Sequence, residues 1–425
     1  MKSDTPRWTI RHEIDWERFP TVVFESDDWG ACETARNAED AAALQPLWDE
    51  VLERTRPILT TLERPADLAR LYEALGAFTG ADGLPAVFTA FTCTGNPDYA
   101  AIRGTGEYHD IGIDQGVPPG WERGDLLTAW REGIARGVYA PEFHGNLHHT
   151  SPVTLMKLLR EPGPEGRLAR ESFDREVYCQ GRHVPEFEGM TVGDQFAWNA
   201  VGAQRFRRAF GFAPACAITS DALPETEIVW ALLGIRTVCL KNCRVNSGQV
   251  VVYPTKPWNN QDPDVPLGAH DPVLDVVYMT RNVFFECAGN PDQSADVVLD
   301  VIRTRWQEGE AAMISTHRAN YVSLDPQRVE TGFRELRELL ASLTEHTDAR
   351  FLTTAEVADL YRQGWSLRTW ADRSILRVYA EDAEPVRVEG ACEVAVSLTD
   401  GREFAATSDG DHAVLDVPPG EYELR

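Results

Sequence analysis

Short apolar runs bounded by turn residues alternate with longer amphipathic stretches along most of this chain, and that alternation is what most limits its fold. The strand-like runs are residues 21–26, 85–91, 139–143, 215–219, 236–240, 276–285, 311–316 and 350–353. Helical periodicity covers 67–78, 126–135, 225–233, 295–306 and 326–343. Wholly apolar strands separated by helices imply parallel strands covered on both faces. Seven or eight such units predict an α/β chain folded as a distorted (β/α) barrel, with an open doubly wound sheet as the alternative. No glycine-rich dinucleotide fingerprint follows the first run, which counts against the open sheet. Near residue 370 the pattern changes. Alternating strands with intervening turns, as in Thr399-Asp400-Gly401 and Pro418-Pro419-Gly420, predict a small antiparallel β module. Residues 1–370 are therefore expected to form the barrel, and 371–425 a sandwich-like accessory module that packs on it, since alone its core would be marginal. Three Gly/Pro/Asp-rich stretches, roughly 94–125, 161–195 and 255–275, read as long loops. Their aromatic residues Tyr99, Trp121 and Trp258 are expected to rim the barrel mouth.

Charge narrows the partners. A formal net charge of -26 over 425 residues repels phosphate backbones and anionic headgroups, so nucleic acid and membrane surfaces are poor partners. The first residues carry no apolar signal core, and no run approaches the length of a membrane span. The eight cysteines are scattered, several in apolar runs. A reducing cytoplasm is the compartment that fits.

Three groups of polar residues stand at strand C-termini, the functional face of a barrel. Asp27-Asp28 ends the first run. His144 and His148, in His144-Gly145-Asn146-Leu147-His148, follow the third. His317 ends the seventh. A carboxylate and two imidazoles are the ligand types that hold a catalytic zinc with one position open to water. The neighbouring carboxylate is a ready general base. If the motifs meet in space, the chemistry is metal-dependent hydrolysis. Each motif alone has a plainer reading: an Asp-Asp pair caps helices, exposed histidine pairs occur without metal, and His317 suits a hydrogen-bonded structural role. His149 adds an ambiguity, since it can replace His148 as ligand or simply be a surface residue.

Taken together, the motifs resemble the polysaccharide deacetylase (NodB-homology) family, carbohydrate esterase family 4 among its members. The resemblance runs from about residue 21 to 363. It rests on Phe24-Glu25-Ser26-Asp27-Asp28-Trp29-Gly30, the Thr/Phe-rich second run, the His-x3-His segment, Met313-Ile314-Ser315-Thr316-His317, and Thr353-Thr354-Ala355-Glu356-Val357, in that order. It implies a hydrolase that deacetylates an N- or O-acetylated saccharide. It also implies one divalent metal, zinc first, with cobalt, nickel, manganese or iron as alternatives. Asp28, His144 and His148 would be the ligands, Asp27 the base and His317 the acid. Two departures stand out. The family's Arg-Pro-Tyr arginine, which orients the base, should fall near 214–221, and no arginine is there. Arg281 and Arg318 are the candidate substitutes. Trp29 replaces a glycine and is expected to narrow the pocket or stack on a ring. Asp221 and Glu286 are further candidates behind the ligands. The competing readings are another C–N hydrolase, a glycosidase using Asp27 with Asp221 or Glu286, and a degenerate saccharide-binding protein.

Overall fold

The computed structural model describes residues 8–52, 59–149, 151–177, 186–219, 225–240, 265–390 and 392–425, with the backbone alone of 243–244 and 250–251. Parallel strands run round a barrel in chain order: β1 (Thr21–Trp29), β2 (Phe88–Thr92), β3 (Tyr139–Phe143), β4 (Cys216–Ala217) and β5 (Thr237–Leu240). Next come β6 (Val276–Thr280), β7 (Val283–Phe284) and β8 (Ala312–His317), which pairs back onto β1 from Val22↔Ala312 to Asp27↔His317. β6 and β7 are two halves of one extended stretch with no helix between them. The first half pairs with β5 and the second with β8, so this stretch closes the barrel. Arg281 and Asn282 sit at the changeover. Asn282 holds the seam by donating its N–H to Met313 O (3.1 Å) and accepting from Met313 N (2.8 Å). The short strand β9 (Arg350–Phe351) shares one edge of β1 with β2, pairing with Thr21 and Val22 below the point where β2 begins.

Two-residue alternation sorts the strand side chains into two cores. Val22 and Phe24 of β1 face outward, in one cluster with Leu68 and Leu71 of helix α1 (Pro65–Gly76) and Phe88 of β2. Val298 and Ile302 of α5 (Ala295–Gln307) and Leu336 of α6 (Pro326–His346) join the same cluster. Val23 faces inward with Cys216, Cys239, Val277, Met279 and Met313. The floor of this inner core is α7 (Thr354–Gln363), whose Val357, Leu360 and Tyr361 plug the barrel. A capping box, with Thr353 accepting from Glu356 N and Glu356 Oε2 accepting from Thr353 N, starts that helix at the barrel floor.

The stretch read as a loop over 161–195 is partly helical. It holds α3 (Pro164–Asp174) and the N-cap and first turn of α4 (Val192–Phe210). Trp121 does not rim the mouth; it is fully buried, its Nε1–H donated to Glu176 O at 2.8 Å. Tyr99 is buried as well, and Trp258 lies outside the described residues. Helix α2 (Leu126–Ala135) and strand β3 have the bounds that the sequence pattern predicts.

The antiparallel part begins at Trp365. One sheet of five strands and another of three share a core of Leu376, Val378, Val386, Ala395, Leu415 and Tyr422. Buried ion pairs and aromatic stacking tie it to the barrel. The fully buried Arg377 pairs with Asp82 and with Glu356 Oε1 (2.7 Å). Arg350 forks onto Glu421 (2.8 and 3.0 Å), and Tyr379 stacks on Phe19 with ring centroids 4.0 Å apart. Among the described residues, no helix is long and apolar enough to cross a membrane.

Candidate active site

A regular strand would send Asp27 and Asp28 to opposite faces of the sheet. The chain avoids this with a bulge. The β1–β2 register shifts between Ser26 and Trp29, and Asp28 takes a left-handed backbone (φ 75°), a conformation that aspartate tolerates better than most residues. Both carboxylates thereby reach the barrel mouth from adjacent positions.

The histidine loop starts where β3 ends. His144 N–H is donated to Thr92 O (3.0 Å), and Gly145 turns the chain at φ 76°. The buried carboxylate of Glu186 then organises the loop. Its Oε1 accepts from Asn146 N (2.8 Å), Leu147 N (2.9 Å) and Trp198 Nε1 (2.8 Å). Burial raises the Glu186 carboxyl to about 7, against the lowering effect of those donors.

One carboxylate oxygen of Asp28 and one nitrogen each of His144 and His148 lie within 4.8 Å of one another, and all three residues are buried. His148 Nε2 is 3.0 Å from Asp28 Oδ1, and His144 Nε2 is 3.6 Å from it. Two imidazoles and a carboxylate suit zinc and its first-row neighbours. The electrostatics agree with a cation. Burial alone would lower the His148 pKa, but Asp28 and Glu33 outweigh it and raise it to about 10. Burial likewise works against the Asp28 carboxylate, yet the histidines, His148 first, hold it well below the usual range. Carboxylates thus make this a pocket that favours positive charge, which a divalent ion brings.

Asp27 stands beside this trio, its Oδ2 3.9 Å from His144 Nε2. Arg281, from the barrel seam, forks onto it with Nη1 2.8 Å from Oδ2 and Nη2 2.6 Å from Oδ1. The same guanidinium donates Nε–H to Glu25 Oε2 (2.6 Å) and Nη1–H to Ser315 Oγ (3.1 Å). Burial pushes Asp27 up, but Arg281 outweighs it and holds the carboxyl far below its ordinary value. Glu25 is pinned from below by Thr354 Oγ1 (2.8 Å), at the first turn of α7. His317 Nε2 also lies 3.7 Å from Asp27 Oδ2, and its Nδ1 meets Glu286 Oε1 at 2.6 Å. Burial lowers the His317 pKa, but Glu286 more than reverses this, lifting it to about 9. Unlike Asp27, the His317 and Glu286 side chains keep about a third of their surface open to solvent (31% and 27%).

Other candidates fall elsewhere. Trp29 is fully buried and faces outward, its indole edge-on to Tyr139 (5.7 Å) and bonded to Ser26 Oγ (3.1 Å). The strand's parity after the bulge puts it in the helix layer, so it neither narrows the pocket nor stacks on a ligand. Arg318 does not reach Asp27; its Nη1 donates to Glu63 Oε2 (2.7 Å) and Ala31 O (3.0 Å). His149 lies against the His148 ring, centroids 3.6 Å apart, and groups with Glu33 and His148. Asp221 lies outside the described residues. Sequence reasoning missed Glu25, Glu33, Glu63 and Glu186, whose partners all come from distant parts of the chain.

No family model matches the chain, and no curated protein does. Solved structures similar to it include a candidate polysaccharide deacetylase from Mycobacterium smegmatis, 14% identical over 80% of this chain and 90% of that one, with TM-score 0.39. Puue allantoinase is 10% identical over 84% and 93%, with TM-score 0.41. The Thermotoga maritima alpha-fucosidase is 11% identical over 97% of each chain, with TM-score 0.35. These likenesses are loose, and none of them bears on the reaction.

Proposed function

We propose that the protein is a metal-dependent hydrolase that removes the acetyl group from an N- or O-acetylated carbohydrate. The observation that carries the reading is that Asp27 Oδ2 is close to two groups at once: His144 Nε2 of the ligand trio at 3.9 Å and His317 Nε2 at 3.7 Å. Acetyl and carbohydrate come from the motif resemblance. On this reading the barrel is the catalytic unit and the antiparallel part from Trp365 onward is the accessory module, which starts six residues before the expected 371.

Asp28, His144 and His148 would hold the ion. A divalent ion bound there supplies Lewis acidity, polarising the scissile carbonyl and acidifying water. The chain's own groups divide the proton work. Asp27 is the base. Arg281 keeps it ionised and aimed, and each carboxylate oxygen has a second lone-pair direction for the incoming proton. His317 is the acid. Glu286 keeps it protonated at neutral pH, so it can give Nε2–H to the departing oxygen or nitrogen. Its partial exposure lets the leaving group approach from solvent.

The test is metal content by plasma mass spectrometry on untagged protein, followed by an acetate-release screen over acetylated saccharides. Expected results are about one equivalent of zinc or a similar ion in wild type, none in a His144→Ala/His148→Ala variant, and acetate release lost in Asp27→Ala with metal retained. A wild type that takes up no ion even after incubation with zinc or cobalt would sink the reading. Release of new reducing ends without acetate would replace it with the glycosidase, and release of amine without acetate with another C–N hydrolase.

A further inference from the structure

Glu33 is fully enclosed (2% exposed) in the irregular segment that leaves β1, six residues beyond Asp27 in sequence yet facing the opposite motif. Its Oε1 meets His148 Nδ1 directly. His148 is therefore engaged at both ring nitrogens: Nδ1 with Glu33, and Nε2 with Asp28 Oδ1 at 3.0 Å. An imidazole can ligate through Nε2 only when the proton sits on Nδ1, and a carboxylate accepting at Nδ1 fixes that tautomer and the ring's rotation. The carboxylate is itself held. Arg318 Nη2 stands 3.8 Å from Glu33 Oε2, while Nη1 of the same guanidinium donates to the backbone at Ala31 O (3.0 Å) and to Glu63 Oε2 (2.7 Å). Glu63 Oε1 in turn accepts from Gly30 N (3.0 Å) and Trp130 Nε1 (3.1 Å), which fastens the segment just before Glu33 to the helix layer.

We propose that Glu33 is a positioning residue for the metal centre, selecting the His148 tautomer that presents Nε2, with Arg318 and Glu63 as its fixed support. The proposal rests on the ligand trio named above. It also decides between two uses of a second group, since Glu33, His148 and His149 lie close enough to suggest a further ion site. On this proposal Glu33, which meets His148 Nδ1 directly, is a hydrogen-bond partner rather than a ligand of a second ion, and one equivalent of metal is expected.

The experiment titrates the metal-free full-length chain with Zn2+ against a chromophoric chelator, and with Co2+ followed by visible absorption. It compares wild type, Glu33→Gln and His149→Ala. Glutamine keeps the size but can turn its amide to donate at Nδ1, which favours the wrong tautomer. Expected are one equivalent in wild type, affinity 10–100-fold lower in Glu33→Gln with an altered Co2+ spectrum and unchanged circular dichroism, and a His149→Ala protein like wild type. Equal affinity and identical Co2+ spectra for wild type and Glu33→Gln would overturn the proposal while leaving the ligand trio standing. So would a second equivalent in wild type that either variant abolishes. A wild type that binds neither ion overturns the trio and this proposal together. If Glu33→Gln does not fold, the zinc-loaded wild type carries the test by NMR. A His148 ring protonated at Nδ1, with that proton far downfield, supports the assignment, and a ring protonated at Nε2 overturns it.

Discussion

Replacing Arg281 with methionine keeps most of the side chain's stem and removes its charge. Arg281 is 2% exposed, and the two carboxylates it serves, Glu25 and Asp27, are fully buried. Three of its contacts with them are charge-assisted hydrogen bonds of 2.6–2.8 Å. Removing one partner of a buried ion pair costs about 3–5 kcal/mol, because the charge left behind has lost both water and counter-ion. Two stranded carboxylates argue for the upper end, about 5 kcal/mol at pH 7, a large share of a typical total of roughly 5–15 kcal/mol. The pH dependence follows from the signs. With arginine present, Asp27 titrates below its unfolded value of 3.8. Its contribution is therefore complete at neutral pH and is lost only as pH falls through the folded value. Without arginine, burial dominates, and the folded carboxyls hold protons that the unfolded chain releases near pH 4. The variant's deficit therefore shrinks as pH falls. From pH 7 to pH 5 the Asp27 share should recover by about 2.7 kcal/mol, at about 1.36 kcal/mol per pH unit, and Glu25 adds less because burial already raises it with the arginine in place. The assay is urea unfolding of metal-free protein by tryptophan fluorescence at both pH values. An equal deficit at both, or one below about 1 kcal/mol, would refute the charge argument and leave only lost packing. Arg281→Lys restores the charge but not the fork. It should regain part of the stability while turnover stays roughly a hundredfold down, the scale expected for a misplaced base.

Glu286→Gln removes the main group that raises His317. The acid then loses its proton at lower pH, so the alkaline limb of the kcat/KM profile should move down from near 9; an unmoved limb would take His317 out of the acid role. Gly145→Ala asks a left-handed backbone of alanine, about 1–2 kcal/mol, and its methyl would overlap Glu186 Oε2. Metal affinity should fall before the fold is lost, as zinc titration and circular dichroism together will show. Glu142 accepts from Ala215 N (2.9 Å) and Cys216 N (2.8 Å), and burial raises it from 4.5 to about 8 despite those donors. Its folded form thus keeps a proton that the unfolded chain gives up, so stability falls as pH rises from about 4.5 to 8. Glu142→Gln should flatten the slope of the urea midpoint across that window.

Much of the barrel was legible because parallel strands and amphipathic helices write their periods locally. The bounds of Tyr139–Phe143 and Leu126–Ala135 are the ones the pattern predicts. Run 276–285 read as one strand, and it is continuous in the chain, but nothing local reveals that it changes partners at Arg281. Helix α3 was hidden by Pro164 and by Gly163 and Gly166, which suit a loop as well as a helix start. The start of α4 did carry a signal, a capping box from Thr191 to Asp194. At the site, the polar residue types at strand ends were visible. The bulge at Asp28 was not, and without it the inward or outward facing of Trp29 cannot be assigned from strand parity. Glu33 and Glu186 acquire their roles mainly through contacts 115 and about 40 residues away in sequence, where no local pattern exists.

The seam of the barrel has a consequence for how much variation the chain can bear there. β6 and β7 follow each other with only Arg281 and Asn282 between, and each half is gripped by a different neighbour. A single residue inserted or deleted at that point would displace the arginine by about 3.3 Å along the strand, farther than any of its hydrogen bonds is long. Between β1 and β2, β2 and β3, β3 and β4, β4 and β5, and β7 and β8, loops and at least one helix separate the strands and can absorb an indel. At the seam there is no slack, and length itself becomes part of what holds Asp27 in place.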